Sequence, residues 1–513
     1  MGTSWFERVR RFKSPVRVVS AFLLRSRETR ARKCEELKRE IDDLRQQARA
    51  QIAARARWEQ QNEELRQQVR RLNEEREEQA QRTWELPPDP PLGTHGFGAR
   101  LISLAVNLAQ RVGLRGAQAV WRIVWEWLGV DTKVPCWTSI RNGLQRLGVA
   151  ALTKPVERAE DWIWLADHSN QIGPEKVLVV LGVRASKLPE PGETLKHEDV
   201  RLLAVQPGTS WKTADVAATY TQLAEQFGSP RAVVVDGAPE LQDGADGLKI
   251  RRSDTIVLRD FKPQAANAFQ ALLGQSERFA EFHTQGGQTR SAIQQTELAH
   301  LVPPTIRQKA RFMNLQAVLR WAACVLWLLD HPDAKSRRLF TSERLEAKLG
   351  WLRSFASEIA LWNECQPVIS TALTFLNERG LFHGVAAQLR TALSALVTTD
   401  TARELSERLL TFVRDAETQL QPNERLWLST EILESTFGLY KQLEGQHSQG
   451  GFTSLIAAFG SLLQKPTPEL IREAFTRVSV SDVKHWVRTN LATTLHSKRF
   501  ATYNEFHPKR ATL

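Results

Sequence analysis

At 513 residues the chain is too long for one hydrophobic core and should hold roughly two to four structural units. Its composition, 42% hydrophobic and 25% charged, is that of a soluble globular protein, and apolar runs such as WAACVLWLL (321–329) are about half the length a membrane span needs. The net charge of +12 points to polyanionic partners, nucleic acid before anionic membrane.

Cys34, Cys136, Cys324 and Cys365 are too scattered for a zinc site or a disulfide scaffold, which fits a reducing cytoplasm. The apolar VVSAFLL near the N-terminus is short, is followed by Arg25 and Arg27 and has no cleavage-site pattern, so export is not expected.

Residues 1–33 carry ten Lys/Arg against two Glu and read as a basic arm. A heptad runs from 34 to 72, within a coiled-coil segment 34–82. Its a positions include Cys34, Ile41, Ala48, Asn62 and Val69, and its d positions Leu37, Leu44, Trp58, Leu65 and Leu72. β-branched a with Leu at d favours a parallel pair of helices, hence a homodimer through 34–72. The Pro/Gly-rich stretch PPDPPLGTHGFG (87–98) closes a linker at 83–98, because it cannot continue a helix. Over 99–155, GAQAVWRIVWEWLG and TSIRNGLQRLG suggest a helix-turn-helix whose second helix, with Arg141 and Arg146, meets DNA.

Residues 156–263 change character. WIWLA, KVLVVLGVR and VRLLAVQ read as strands, TADVAATYTQLAEQFG as an amphipathic helix, and RAVVVDG and TIVLRDF as two more strands. Three strands, a helix, a strand, a helix and a strand make the order of an RNase H-like sheet. Residues 264–428 are helical in pattern. Residues 429–513 hold a further helix and a basic tail with Lys498 and Arg499. The expected fold class is therefore mixed: an α/β RNase H-like domain with a large all-α insertion, behind a coiled coil and a helix-turn-helix-like segment.

In such a sheet the first and fourth strands are parallel neighbours, so their carboxyl ends share one crevice. Asp167 is expected to end the first and Asp236 the fourth. Adjacent carboxylates repel unless a cation lies between them, and hard oxygen ligands suit Mg²⁺ or Mn²⁺. A third acid should come from STEILESTFGLYKQ (429–442), where Glu434 and Lys441 lie seven residues apart, two turns along one side of a helix. Asp260 is its main rival, then Glu277 and Glu281. Asp260 and Lys262 are otherwise expected behind the triad, and His168 on the opposite face as a structural residue.

These residues resemble those of bacterial DDE transposases of the cut-and-paste insertion-sequence type. Glu434 and Lys441 match the Glu-x6-Lys of one group's Tyr-x2-Arg-x3-Glu-x6-Lys signature, while Trp427 and Thr430 stand where that signature has Tyr and Arg. The long helical region is similar in placement to the insertion of hAT-type members. The resemblance implies Asp167, Asp236 and Glu434 as a triad holding two Mg²⁺ (or Mn²⁺) ions, strand cleavage followed by strand transfer, and transposon-end and target DNA as partners in a bacterial nucleoid, with no membrane. Lys441, Arg141, Arg146, Lys498 and Arg499 are the expected DNA contacts. Two competing readings are a DNA-binding protein with an inactive RNase H-like domain and a nuclease without strand transfer.

Overall fold

The computed structural model describes the chain except residues 1–15, 82–87, 94, 131–132, 171–174, 209, 274–276, 306–314, 332–339, 446–451, 492–497, 500 and 504–513. It divides into two units, Met1–Pro88 and Asp89–Leu513.

The first unit is built on one helix, α1 (Val16–Gln81). Its sequence contains no Gly or Pro and is rich in Glu, Arg and Gln, all good helix formers; Arg55 and Glu59 pair at 2.9 Å one turn apart. Leu37, Trp58, Leu65, Val69 and Leu72 are exposed at the heptad spacing, a seam with no cover among the described residues of the unit. The expectation of a separate basic arm is corrected from residue 16 onward, because residues 16–33 belong to the same helix. Residues 1–15 lie outside the described residues.

The second unit begins by turning the linker into a cap. Asp89 accepts hydrogen bonds from the amides of Arg100 and Leu101 at 3.0 and 2.9 Å, satisfying two donors at the start of α2 (Ala99–Leu128). Gly98 is required there, since a Cβ would overlap Asp89. α2 breaks at Gly113, whose φ is 76°, and α3 (Trp137–Thr153) follows.

Both helices of the expected helix-turn-helix exist, and the second half of α3 is taken up by packing. Every residue from Gly143 to Ala150 is buried, against α2 and the buried 3-10 segment Ser454–Leu463. At Gly148 the two backbones meet so closely that a Cβ would lie 2.0 Å from the Ala457 carbonyl oxygen. This half of α3 offers no face to a groove, whereas its first turns, with Trp137, Thr138, Ser139 and Arg141, are half-exposed.

The sheet has the order β3-β2-β1-β4-β5, with β1 Trp162–Asn170, β2 Lys176–Arg184, β3 Arg201–Gly208, β4 Ala232–Val235 and β5 Ile256–Arg259. β2 is antiparallel to β1 and β3, whereas β4 is parallel to β1 and β5. This mixed sheet is consistent with an RNase H-like core. Because side chains alternate along a strand, the sheet has two distinct faces. Trp164, Ala166, Val233 and Val235 pack on Val216, Tyr220 and Leu223 of α4 (Thr213–Phe227) and Leu241 of α5 (Pro239–Asp246). Ile163, Leu165, Ala232, Val234 and Leu258 face the larger core shared with the helical region.

That region carries α6 (Phe261–Leu273), α7 (Glu277–Ile293), α8 (Leu315–Asp330), α9 (Ser342–Leu349), α10 (Ala356–Arg379), α11 (Val385–Leu393) and α12 (Asp400–Glu417). A short bridge pairs Leu381–Phe382 with Arg425–Leu426. The chain then returns to the sheet through α13 (Glu431–Gly445) and ends with α14 (Pro468–Arg477) and α15 (Val480–Leu491). Among the described residues no helix is long and apolar enough to cross a membrane.

Candidate active site

Register places the acids. The parallel ladder ends at Ala166↔Val235 and Val235↔Arg259. Asp167, Asp236 and Asp260 are therefore the next residue on three neighbouring strands, one row across the sheet with strands about 4.8 Å apart. Counting by twos from Leu165, Val234 and Leu258, all three belong to the face of the larger core, where α13 also packs through Leu433 and Phe437. Asp167 does not end β1, as the sequence suggested. β1 runs on to Asn170, still paired with β2, and Asp167 lies opposite Val179. What ends there is the parallel pairing, because Gly237, at φ 100°, turns the neighbouring chain away.

Each Asp has a different local environment. Asp236 closes a turn by accepting from the Ala238 amide at 3.0 Å, just ahead of α5. Asp167 is partly buried and accepts from the His168 amide at 2.6 Å. Its pKa is pushed well above the usual carboxylate range, first by burial, then by the charge of Asp236, with Glu434 and Asp260 adding to it and the His168 amide opposing. Asp260 is 1% exposed and has both oxygens engaged. Oδ1 accepts from the Lys262 amide at 2.9 Å, and Oδ2 accepts from the Thr430 amide at 3.0 Å and the Thr430 hydroxyl. Burial raises its pKa against the pull of those hydrogen bonds.

Glu434 sits in the first turn of α13, where the helix dipole favours a negative charge. It is exposed and salt-bridged to Lys262, Nζ to Oε2 at 2.5 Å, with Glu431 at 3.6 Å from the same ammonium. The acids that act on Asp167 are thus Asp236, Glu434 and Asp260, while Glu281 pairs with Arg278 on α7 at 2.9 Å and Glu277 opens that helix. With Glu434 held by Lys262, no group of three His, Cys, Asp or Glu among the described residues is gathered closely enough to hold a metal ion. The fit to a hard divalent cation rests on the Asp167–Asp236 pair, whose mutual repulsion and burial such a charge would relieve.

The remaining candidates divide. His168 points to the other face, its ring 5.5 Å from that of Trp211, and burial lowers its pKa to about 4. Arg146 is corrected as a DNA contact. It is 6% exposed, donates to the carbonyls of Val478 (2.6 Å) and Phe475 (2.7 Å), and lies over the Phe475 ring. Arg141 is half-buried beside the Trp137 ring. Lys441, Lys498 and Arg499 are exposed. Sequence reasoning missed the Thr430–Asp260 contact, which joins residues 170 apart, and Tyr220, whose buried hydroxyl has no hydrogen-bond partner among the described residues and senses the charges of Asp236 and Asp167. A cavity of about 350 Å³ lies away from the acids, lined by Lys154, Arg184 and Arg201 together with Glu157, Glu198 and Asp199, so its charges are nearly balanced.

No protein-family model matches the chain, and no curated protein sequence does. Among solved structures, the Drosophila P element transposase strand transfer complex is similar, with a TM-score of 0.35 and 11% identity over 72% of this chain and 91% of that one.

Proposed function

We propose that the chain is a metal-dependent DNA phosphoryl transferase of the DDE transposase type, cutting transposon-end DNA and joining it to target DNA. The observation that carries this reading is the acidic row at one end of the parallel ladder, where the charges of Asp236 and Glu434 both act against ionisation of Asp167. Asp167, Asp236 and Glu434 are the residues that would hold Mg²⁺ or Mn²⁺, two ions in all. Bound there, such ions would supply an activated hydroxyl and charge stabilisation for the leaving oxygen.

The chain's own residues provide position and counter-charge. Asp167 stands on the central strand, hydrogen-bonded on both sides along its apolar length. Lys262 is salt-bridged to Glu434 and would be free to donate to a DNA phosphate if Glu434 held a metal ion. Lys441, two turns beyond Glu434 on α13, provides a second phosphate contact, and the +12 excess draws DNA in. Pairing of two α1 helices through the exposed seam at Leu65, Val69 and Leu72 would hold two protomers together.

A protein that binds DNA without cutting it is the second reading, favoured by the Lys262–Glu434 pair. Incubation of full-length protein with supercoiled plasmid and Mg²⁺ or Mn²⁺ separates the two. Metal-dependent nicking that is lost in Asp167→Asn supports the enzyme, and joined rather than merely cut products support strand transfer over hydrolysis. Binding without any cleavage hands the chain to the second reading.

A further inference from the structure

The row contains three aspartates, yet only two face the site with free carboxylate capacity. Both oxygens of Asp260 are already occupied by donors, and it is 1% exposed, so it cannot stand in for Glu434 as a ligand. Its contacts reach β4, the start of α6 and the segment that leads into α13. Its amide donates to the Val235 carbonyl at 2.7 Å, one residue before Asp236. The next amide, Phe261, donates to the Leu428 carbonyl at 3.1 Å, fixing the segment that leads into α13. Its carboxylate takes the Lys262 amide on one side and Thr430 on the other.

We propose that Asp260 is the positioning residue of the site, a buried clamp that fixes the start of α13 and so delivers Glu434 to the Asp167–Asp236 pair; this rests on the metal-site reading above. Thr430 and Glu434 are four residues apart, about one helical turn, and the Glu434 amide bonds the Thr430 carbonyl at 3.3 Å. A shift at Thr430 therefore moves Glu434 as part of a rigid turn. The same carboxylate orients Lys262, the residue that grips Glu434 in the absence of metal. Thr430 is thus a working residue in its own right: its hydroxyl and amide both donate to the clamp, and its role is to be held.

The test uses full-length protein and Mn²⁺ as the probe, with free Mn²⁺ read by its magnetic resonance signal and α13 amide exchange read in parallel. Thr430→Val removes one donor at nearly constant shape, and Thr430→Ser restores it. Asp260→Asn keeps the volume but turns an amide N–H toward a donor. Thr430→Val and Asp260→Asn should each weaken Mn²⁺ binding about 10–100-fold, the range for residues that orient metal ligands. They should also speed exchange of the Leu433 and Glu434 amides, while Thr430→Ser behaves like the parent. Wild-type Mn²⁺ affinity in both Thr430→Val and Asp260→Asn overturns the proposal and leaves Asp260 a stability anchor. Asp167→Asn separates the two levels: wild-type affinity in that variant removes the metal site itself, and this inference with it.

Discussion

β4 has a charge at each end, Arg231 buried and Asp236 half-buried, and the two ends are treated in opposite ways. At its start Arg231, 4% exposed, donates to Glu424 at 2.6 and 2.8 Å and to the Gln419 carbonyl at 3.0 Å, and also bonds the Asp254 carbonyl. At its finish Asp236 faces Asp167 across the row, and its charge opposes ionisation of Asp167. The Arg231 cluster is complete, and ties the sheet to the chain returning from the helical region. The aspartate end is incomplete in the protein alone. Buried charge that is fully paired reports architecture. Buried charge of one sign left facing itself reports a site that expects something else.

Asp167→Asn breaks the incomplete end most severely. Loss of a metal ligand should remove several kcal/mol of transition-state stabilisation, a fall in plasmid nicking on the order of a thousandfold. The same substitution should raise the melting temperature of the ion-free protein by roughly a few degrees. A pKa held above the usual 3.8 in the folded state means that Asp167 binds its proton more tightly folded than unfolded. Stability is then fully present below 3.8 and is lost as pH rises through the folded value. Asp167→Asn should flatten that decline in a pH series of melting curves. Equal pH slopes in parent and variant would show that Asp167 is not held protonated by the fold.

Arg231→Ala attacks the complete end. It leaves Glu424 buried without its partner, at an expected cost of about 3–5 kcal/mol, read by urea unfolding. Arg146→Ala applies the same logic to α3. It orphans two backbone carbonyls and should cost about 1–3 kcal/mol while leaving the salt dependence of DNA binding unchanged. Lys441→Ala should instead act on binding, with the slope of log affinity against log salt reduced by about 0.9.

The sheet was legible because its strands are short apolar runs with sharp ends: KVLVVLGVR appears as β2 residue for residue. The Asp167–Asp236 juxtaposition was legible too, since it follows from strand order once β1 and β4 are parallel neighbours. Two things were not. α3 looked like a surface helix because Arg146 is a charge on a helical face, and nothing local reveals that its guanidinium is consumed by the carbonyls of Phe475 and Val478. The job of Thr430 was hidden in the same way. Beside the family signature it looked like a missing arginine, and its partner Asp260 is supplied by the far end of a long helical excursion.

The alignment of the acidic row also has a parity. Side chains on β4 alternate between the Tyr220 face and the α13 face, so deleting any one of Ala232–Val235 would swing Asp236 into the oily layer around Trp164 and leave Asp167 alone. This four-residue strand tolerates exchange of its apolar letters for others of like size, but not a change in their number.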